Sequence, residues 1–163
     1  MRYHRIDDLL QAAKGRKAGR VAIAAAHDGD VLKAAAAAAE EGIAEPVLVG
    51  DGEAIREILL EMGRDSASFS IIPADGPEAC AAAAVRLVRE GRADFLMKGL
   101  LGTADLLRAV LDKDSSLRTG RLLSHVMLYE NAGYPKLLAL TDGGMNTFPD
   151  LAKKADILEN AAI

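Results

Sequence analysis

From Val21 to about Asp112, short apolar runs alternate with stretches of helical periodicity. Val21–Ala26 reads as a buried strand, and the turn His27-Asp-Gly-Asp30 leads into a helix from Val31 to Glu41. Gly42 stops that helix, as glycine does where the chain leaves through the left-handed region. Pro46–Gly50 is the next strand, and Asp51 caps a helix that runs to Met62 and ends at Gly63. Phe69–Ile72 is a third strand. Gly76-Pro77 opens a further helix ending at Gly91, with proline at a first-turn position where its missing N–H costs nothing. Asp94–Met97 is a fourth strand, and Lys98-Gly-Leu-Leu-Gly-Thr103 leads into a helix that reaches Leu111. This rhythm predicts an α/β fold: a parallel-rich sheet with helices on both faces.

After Asp112 the pattern changes. Asp114–Gly120 is a polar loop, Leu122–Tyr129 reads as a strand, and Asn131–Pro135 turns the chain into a second strand, Leu137–Leu140. Two strands joined by a turn predict a short antiparallel pair. A final helix begins near Pro149, with Leu151, Ala155, Leu158 and Ala162 on one stripe and Ile157 and Ala161 widening it.

Composition narrows the function classes. The 163 residues are half apolar and carry a net charge of −4, which gives no global attraction to nucleic acid or to an anionic membrane. An anionic ligand therefore needs a local cluster of cations or backbone N–H groups. The single cysteine, Cys80, lies mid-helix among alanines and is expected in the core. Three scattered histidines with one cysteine have no metal-binding spacing, so no metal site is expected. The charged start of the chain does not read as a signal peptide, and no apolar run is long enough to cross a bilayer. A cytoplasmic protein is expected.

Three segments could carry chemistry. In parallel sheets, ligands collect beyond the carboxyl ends of the strands, where loops feed helix N-termini. Lys98 ends a strand, Gly99 and Gly102 permit close backbone approach, and Thr103 stands where a helix begins. Arg108 lies about 7–8 Å further along the axis, with a side chain that tilts back. A phosphate above Thr103 could meet backbone N–H groups, a hydroxyl and two cations. The alternative is a threonine cap with Arg108 solvated.

The second segment, Ser115–His125, holds Arg118, Arg121 and Ser124. Arginine suits bidentate phosphate binding, although a solvated loop accounts equally for the same residues. Ser124 and His125 would point to opposite faces of a strand, so they are not expected to act as a nucleophile and base. The third, Thr141–Asn146, offers Asp142 and Asn146 at a strand end, or else only a turn. His27 ends the first strand beside Asp28, as a cleft residue or a turn residue.

Together with Val21–Ala26, Gly42–Gly50, Leu123–Val126 and Pro149-Asp150, the Lys98–Arg108 and Thr141–Asn146 segments resemble the phosphate acetyl/butyryltransferase family, closest to its butyryl members. The likeness runs almost end to end. It implies interconversion of acyl-CoA and phosphate with acyl phosphate and coenzyme A, coenzyme A being a substrate and no cofactor being bound permanently. It also implies a first lobe like that of isocitrate and isopropylmalate dehydrogenases, with substrates in a cleft between two lobes.

Carried over, Thr103 and Arg108 match the phosphate side of that cleft as catalytic candidates. Lys98, Gly99, Gly102, Arg118, Arg121, Ser124, Asp142 and Asn146 are candidates for substrate binding. Family members are considerably longer, so residues 1–148 are expected to form one α/β lobe and residues 149–163 to begin a second lobe absent from this chain. The expected partners are acyl-CoA and inorganic phosphate, with a homo-oligomer or a complementing lobe, and neither nucleic acid nor membrane. Rival readings are a non-catalytic phosphate- or CoA-binding module, one half of a split enzyme, or a metal- and NAD-dependent hydroxyacid dehydrogenase.

Overall fold

A computed structural model describes residues 3–162. The chain forms two compact units, Lys14–Arg118 and Met1–Ala13 with Thr119–Ile163.

The first unit is built on four parallel strands. They are β1 (Gly19–Ala24), β2 (Ala44–Gly50), β3 (Ser70–Pro73) and β4 (Phe95–Lys98), in the order β3-β2-β1-β4. The connecting helices are α2 (Gly29–Glu40), α3 (Gly52–Glu61) and α4 (Gly76–Arg89), and α5 (Thr103–Leu111) follows β4. Each predicted strand and helix of this region is present, with ends moved by at most two residues. The Asp28 carboxylate accepts from the Val31 N–H, so α2 begins earlier than its apolar stripe suggests. Asp51 caps α3 through the N–H groups of Glu53 and Ala54.

Side chains alternate across the sheet and sort the helices into two layers. Val21, Ile23 and Leu48 pack with Leu32 and Ala35 of α2 and Ile55 and Leu59 of α3. Ala22, Ala24, Val47 and Val49 pack with Cys80, Ala81, Ala84 and Leu87 of α4, joined by Leu106 and Ala109 of α5. The second layer is alanine-rich on both sides of the contact, so α4 lies close over β1. Cys80 is fully buried there, and burial pushes its thiol up.

Strand β1 feeds α2 on one face, whereas its neighbour β4 feeds α5 on the other. The order in which strands are added therefore reverses between β1 and β4. In sheets of this kind, ligands bind beyond the carboxyl ends of the strands at such a point. Strand β4 is also an outer strand, with Phe95 and Met97 exposed.

The second unit contains the antiparallel pair β5 (Val126–Asn131) and β6 (Tyr134–Thr141), and the helices α1 (Ile6–Lys14), which runs one residue past the boundary, and α6 (Leu151–Ala162). Several details differ from the sequence reading. Residues 122–125 are not strand, because side chains take the backbone groups that a strand would pair. The Leu122 and Leu123 carbonyls accept from Asn160 and Asn146, and the His125 N–H donates to Asp142. On α6, Ile157 is the anchor at 5% exposure, whereas Leu151 and Leu158 are 85% and 65% exposed. Helix α1 was not expected from the sequence, although Ile6, Leu9, Leu10 and Ala13 have helical spacing.

Candidate functional site

At the end of β4 the chain turns against β1. The Gly99 and Leu100 N–H groups donate to the Ala24 and Ala25 carbonyls, each at 2.8 Å. A Cβ at Gly99 would lie 2.3 Å from the Ala25 oxygen, so only glycine allows this approach. Ala25 itself holds φ at 56°, a left-handed conformation that costs a non-glycine residue of order 1–3 kcal/mol. The sheet thus carries backbone strain at the switch point between its two halves.

Lys98 folds over the same loop. Its Nζ donates to the Gly99 carbonyl at 3.2 Å and to the Leu101 carbonyl at 3.0 Å. An ammonium has three N–H donors, so one remains for another acceptor. Leu101 is buried and anchors the loop, while Gly102 takes the cap position of α5.

No side chain caps α5. Thr103 is its first residue, one position later than a threonine cap would stand. The helix therefore begins with backbone N–H groups and the positive end of its dipole at the loop mouth. Asp105 turns back over the loop, its Oδ2 lying where it would stand 2.7 Å from a Cβ on Gly102. Its Oδ1 accepts from Nη1 of Arg108 at 2.9 Å. The Arg108 side chain is 66% exposed, and among the described residues this is the one hydrogen bond its guanidinium makes.

Arg108 and Asp105 also line a concavity of about 370 Å³ between α4 and α5, floored by Ala82, Val85 and Ala109 and bordered by Arg86 and Arg89. A second concavity brings Arg108 together with Arg118 and Lys113, with Asp112 and Asp114 beside them. Thr103 and Lys98 do not line either one. The structure thus joins Gly99, Gly102 and Lys98 in one loop and links Arg108 to that loop through Asp105. The sequence reading gave Asp105 no role, although an acid three residues before an arginine on a helix is a recognisable pairing signal.

On the first β-strand's side, His27 lies over Gly50. The Asp51 N–H points to its Nδ1 at 3.4 Å, and a Cβ at Gly50 would approach that nitrogen to 2.6 Å.

The remaining candidates lie in the second unit. Arg121 donates to Glu159 at 3.0 Å, and Ser124 Oγ accepts from Asn160 at 2.9 Å. Asp142 accepts from the His125 N–H at 3.1 Å and from the Asn146 N–H at 2.9 Å, and Asn146 Nδ2 donates to it as well. Desolvation pushes the Asp142 carboxyl up, but hydrogen bonds from the Asn146 side chain and the His125, Asn146 and Met145 N–H groups outweigh it and hold it below its ordinary value. These four residues are joined to the loop before β5 and, through Asn160 and Glu159, to α6. Among the described residues, no group of three or more acidic, histidine or cysteine side chains could hold a metal, and no helix is long and apolar enough to cross a membrane.

Comparison with known proteins adds to this geometry. The family model described as Phosphate acetyl/butaryl transferase matches residues 5–82 and 74–163. A phosphate butyryltransferase of Clostridium beijerinckii is 41% identical over 157 residues, covering 96% of this chain and 52% of that protein. Among solved structures, a branched-chain phosphotransacylase from Enterococcus faecalis V583 superposes with a TM-score of 0.69 at 29% identity, over 87% of this chain and 49% of that one. A phosphotransacetylase from Streptococcus pyogenes shares the fold with a TM-score of 0.79 at 21% identity, over 94% and 56%. The chain spans about half the length of the curated relatives it matches.

Proposed function

Since the chain belongs to the phosphate acetyl/butyryltransferase family, we propose that it supplies the phosphate-binding part of an acyl-CoA:phosphate acyltransferase. The reaction converts acyl-CoA and phosphate into acyl phosphate and coenzyme A. A phosphate oxygen attacks the thioester carbonyl, the carbonyl collapses with loss of the C–S bond, and the departing thiolate takes up the proton released from phosphate. Nothing here requires a cofactor.

The carrying observation is the uncapped start of α5 at the sheet's switch point, with Lys98 behind it and Arg108 one turn on. Backbone N–H groups at Thr103 and Ala104, the Thr103 hydroxyl and the free face of Arg108 would hold the phosphate dianion. Gly99 and Gly102 let the backbone approach it, and Lys98 offsets its charge while shaping the loop. Holding nucleophile and carbonyl in contact geometry can supply ~7–11 kcal/mol of the barrier reduction. Arg118, which lines one concavity with Arg108, is proposed as a further phosphate contact. Arg121, Ser124, Asp142 and Asn146 are proposed as substrate contacts on their own unit.

Under this reading, residues 1–148 correspond to an isocitrate/isopropylmalate dehydrogenase-like first lobe in a cytoplasmic enzyme. Residues 149–163 lead toward a second lobe. The donors that stabilise the carbonyl oxyanion, where one lost donor costs ~2.7–4 kcal/mol, come from that complementing lobe or from a second copy. The test is phosphate-dependent thiol release from butyryl-CoA, by this chain alone and mixed with the complementing half of a relative. Thiol release in either mixture, with acyl phosphate formed in equal amount, supports the reading.

The rival reading is a module that binds phosphate or coenzyme A without turnover. Binding with no thiol released in either mixture would select it.

A further inference from the structure

We infer that Asp105 is the positioning residue for Arg108, holding its guanidinium at the phosphate end of α5; this rests on the phosphate-binding reading above. Asp105 is the more enclosed partner, at 31% exposure against 66% for Arg108. Its carboxylate lies over Gly102 on one side and accepts from Arg108 on the other. A carboxylate in the first turn of a helix is favoured by the dipole there. It is therefore a fixed anchor, while Arg108 is the flexible member.

An unanchored arginine at this exposure samples many rotamers and loses that freedom when it binds an anion. Asp105 removes much of this loss beforehand. It uses Nη1 and leaves the Nε and Nη2 donors for phosphate, the geometry in which arginine forms paired bonds to phosphate oxygens. The alternative role has the opposite sign. If the carboxylate merely occupied the anion's place, deleting its charge would tighten phosphate binding.

Inorganic phosphate titrated into the full chain, followed through the backbone amide resonances of Gly102, Thr103 and Ala104, separates these cases. Asp105→Asn is expected to raise the apparent dissociation constant about fivefold, the scale of an exposed ion pair. Asp105→Glu, which can still reach Arg108, is expected to restore it to within about twofold by the same scale. The amide spectrum of each variant reports its folding, and the glutamate variant keeps the test open should the asparagine variant unfold. Unchanged or tighter binding in Asp105→Asn overturns the positioning role while leaving the phosphate site standing. Failure of Asp105→Glu to restore binding also overturns it. No response of these amides in the unaltered chain overturns both the site and the role.

Discussion

The Gly99 Cα lies so close to Ala25 that a Cβ there would stand 2.3 Å from the Ala25 backbone oxygen, just past β1, and 2.8 Å from that of Ala24, the last residue of β1. Neither oxygen belongs to a flexible side chain. Gly99→Ala must therefore push the β4–α5 loop away from β1 and break the two 2.8 Å hydrogen bonds that hold it. We expect a loss of stability on the order of 3 kcal/mol, at the upper end for inserting a carbon into a packed site. Urea unfolding gives the number, and phosphate binding is expected to fall with it because the mouth of α5 moves. A variant as stable as the parent would show that the loop is not fixed on β1.

The alanine-on-alanine layer makes a separate prediction. Ala84 of α4 is fully buried in the cluster that includes Ala22 and Ala24. Ala84→Leu has no room to enter without lifting α4, and overpacking of this kind costs about 1–3 kcal/mol. The same change at Ala82, which borders the open α4–α5 concavity, is expected to stay within about 0.5 kcal/mol, as surface changes usually do. Equal effects at the two positions, measured by thermal unfolding, would contradict the layer assignment.

The acid limb of stability follows from Asp142 and Asp94. The Asp94 carboxyl is held below its ordinary value by side-chain hydrogen bonds from Arg20, then by the Arg20 backbone N–H. Asp142 is lowered by the hydrogen bonds described above, against its desolvation. A carboxyl lowered in the folded state binds fewer protons there than in the unfolded chain. Its stabilising effect is complete above the unfolded value, about 3.9, and is lost as pH falls through the folded value. Stability should fall below about pH 4, and Asp142→Asn should flatten that decline while lowering stability at neutral pH. Melting temperatures between acid and neutral pH give both slopes, and parallel slopes would remove Asp142 from the account.

Much of this architecture was readable before any coordinates. The β/α alternation was legible because each buried strand of a parallel sheet is an unbroken apolar run, and because Gly42, Gly63 and Gly91 end their helices where the backbone turns left-handed. The family was legible from the Lys98–Arg108 and Thr141–Asn146 segments. What remained hidden depends on tertiary pairing. Strand order places β4 beside β1, and only that adjacency shows why Gly99 must be glycine and why Ala25 is strained. The ends of β5 were hidden because Asn146 and Asn160, 23 and 38 residues downstream of their carbonyl partners, decide them. Asp105 was in view, but its link to Gly102 is a matter of side-chain direction that spacing alone does not give.

Arg108 offers the sharpest separation of binding from folding. Its side chain is mostly exposed and its one ion pair spans a single helical turn, so Arg108→Ala should change stability by no more than about 0.5 kcal/mol. Charge-assisted bonds from arginine to phosphate are far stronger than that, so phosphate affinity should fall at least tenfold, on the order of the 1.5–3 kcal/mol such bonds contribute. Arg108→Lys keeps the charge but loses the forked donor geometry, and should recover only part of the affinity. Calorimetric titration with phosphate beside thermal unfolding measures both quantities on the same samples. Full recovery by lysine would mean that the site reads charge alone. Unchanged affinity in Arg108→Ala would remove Arg108 from the phosphate site and leave the amide groups of α5 to bind the anion unaided.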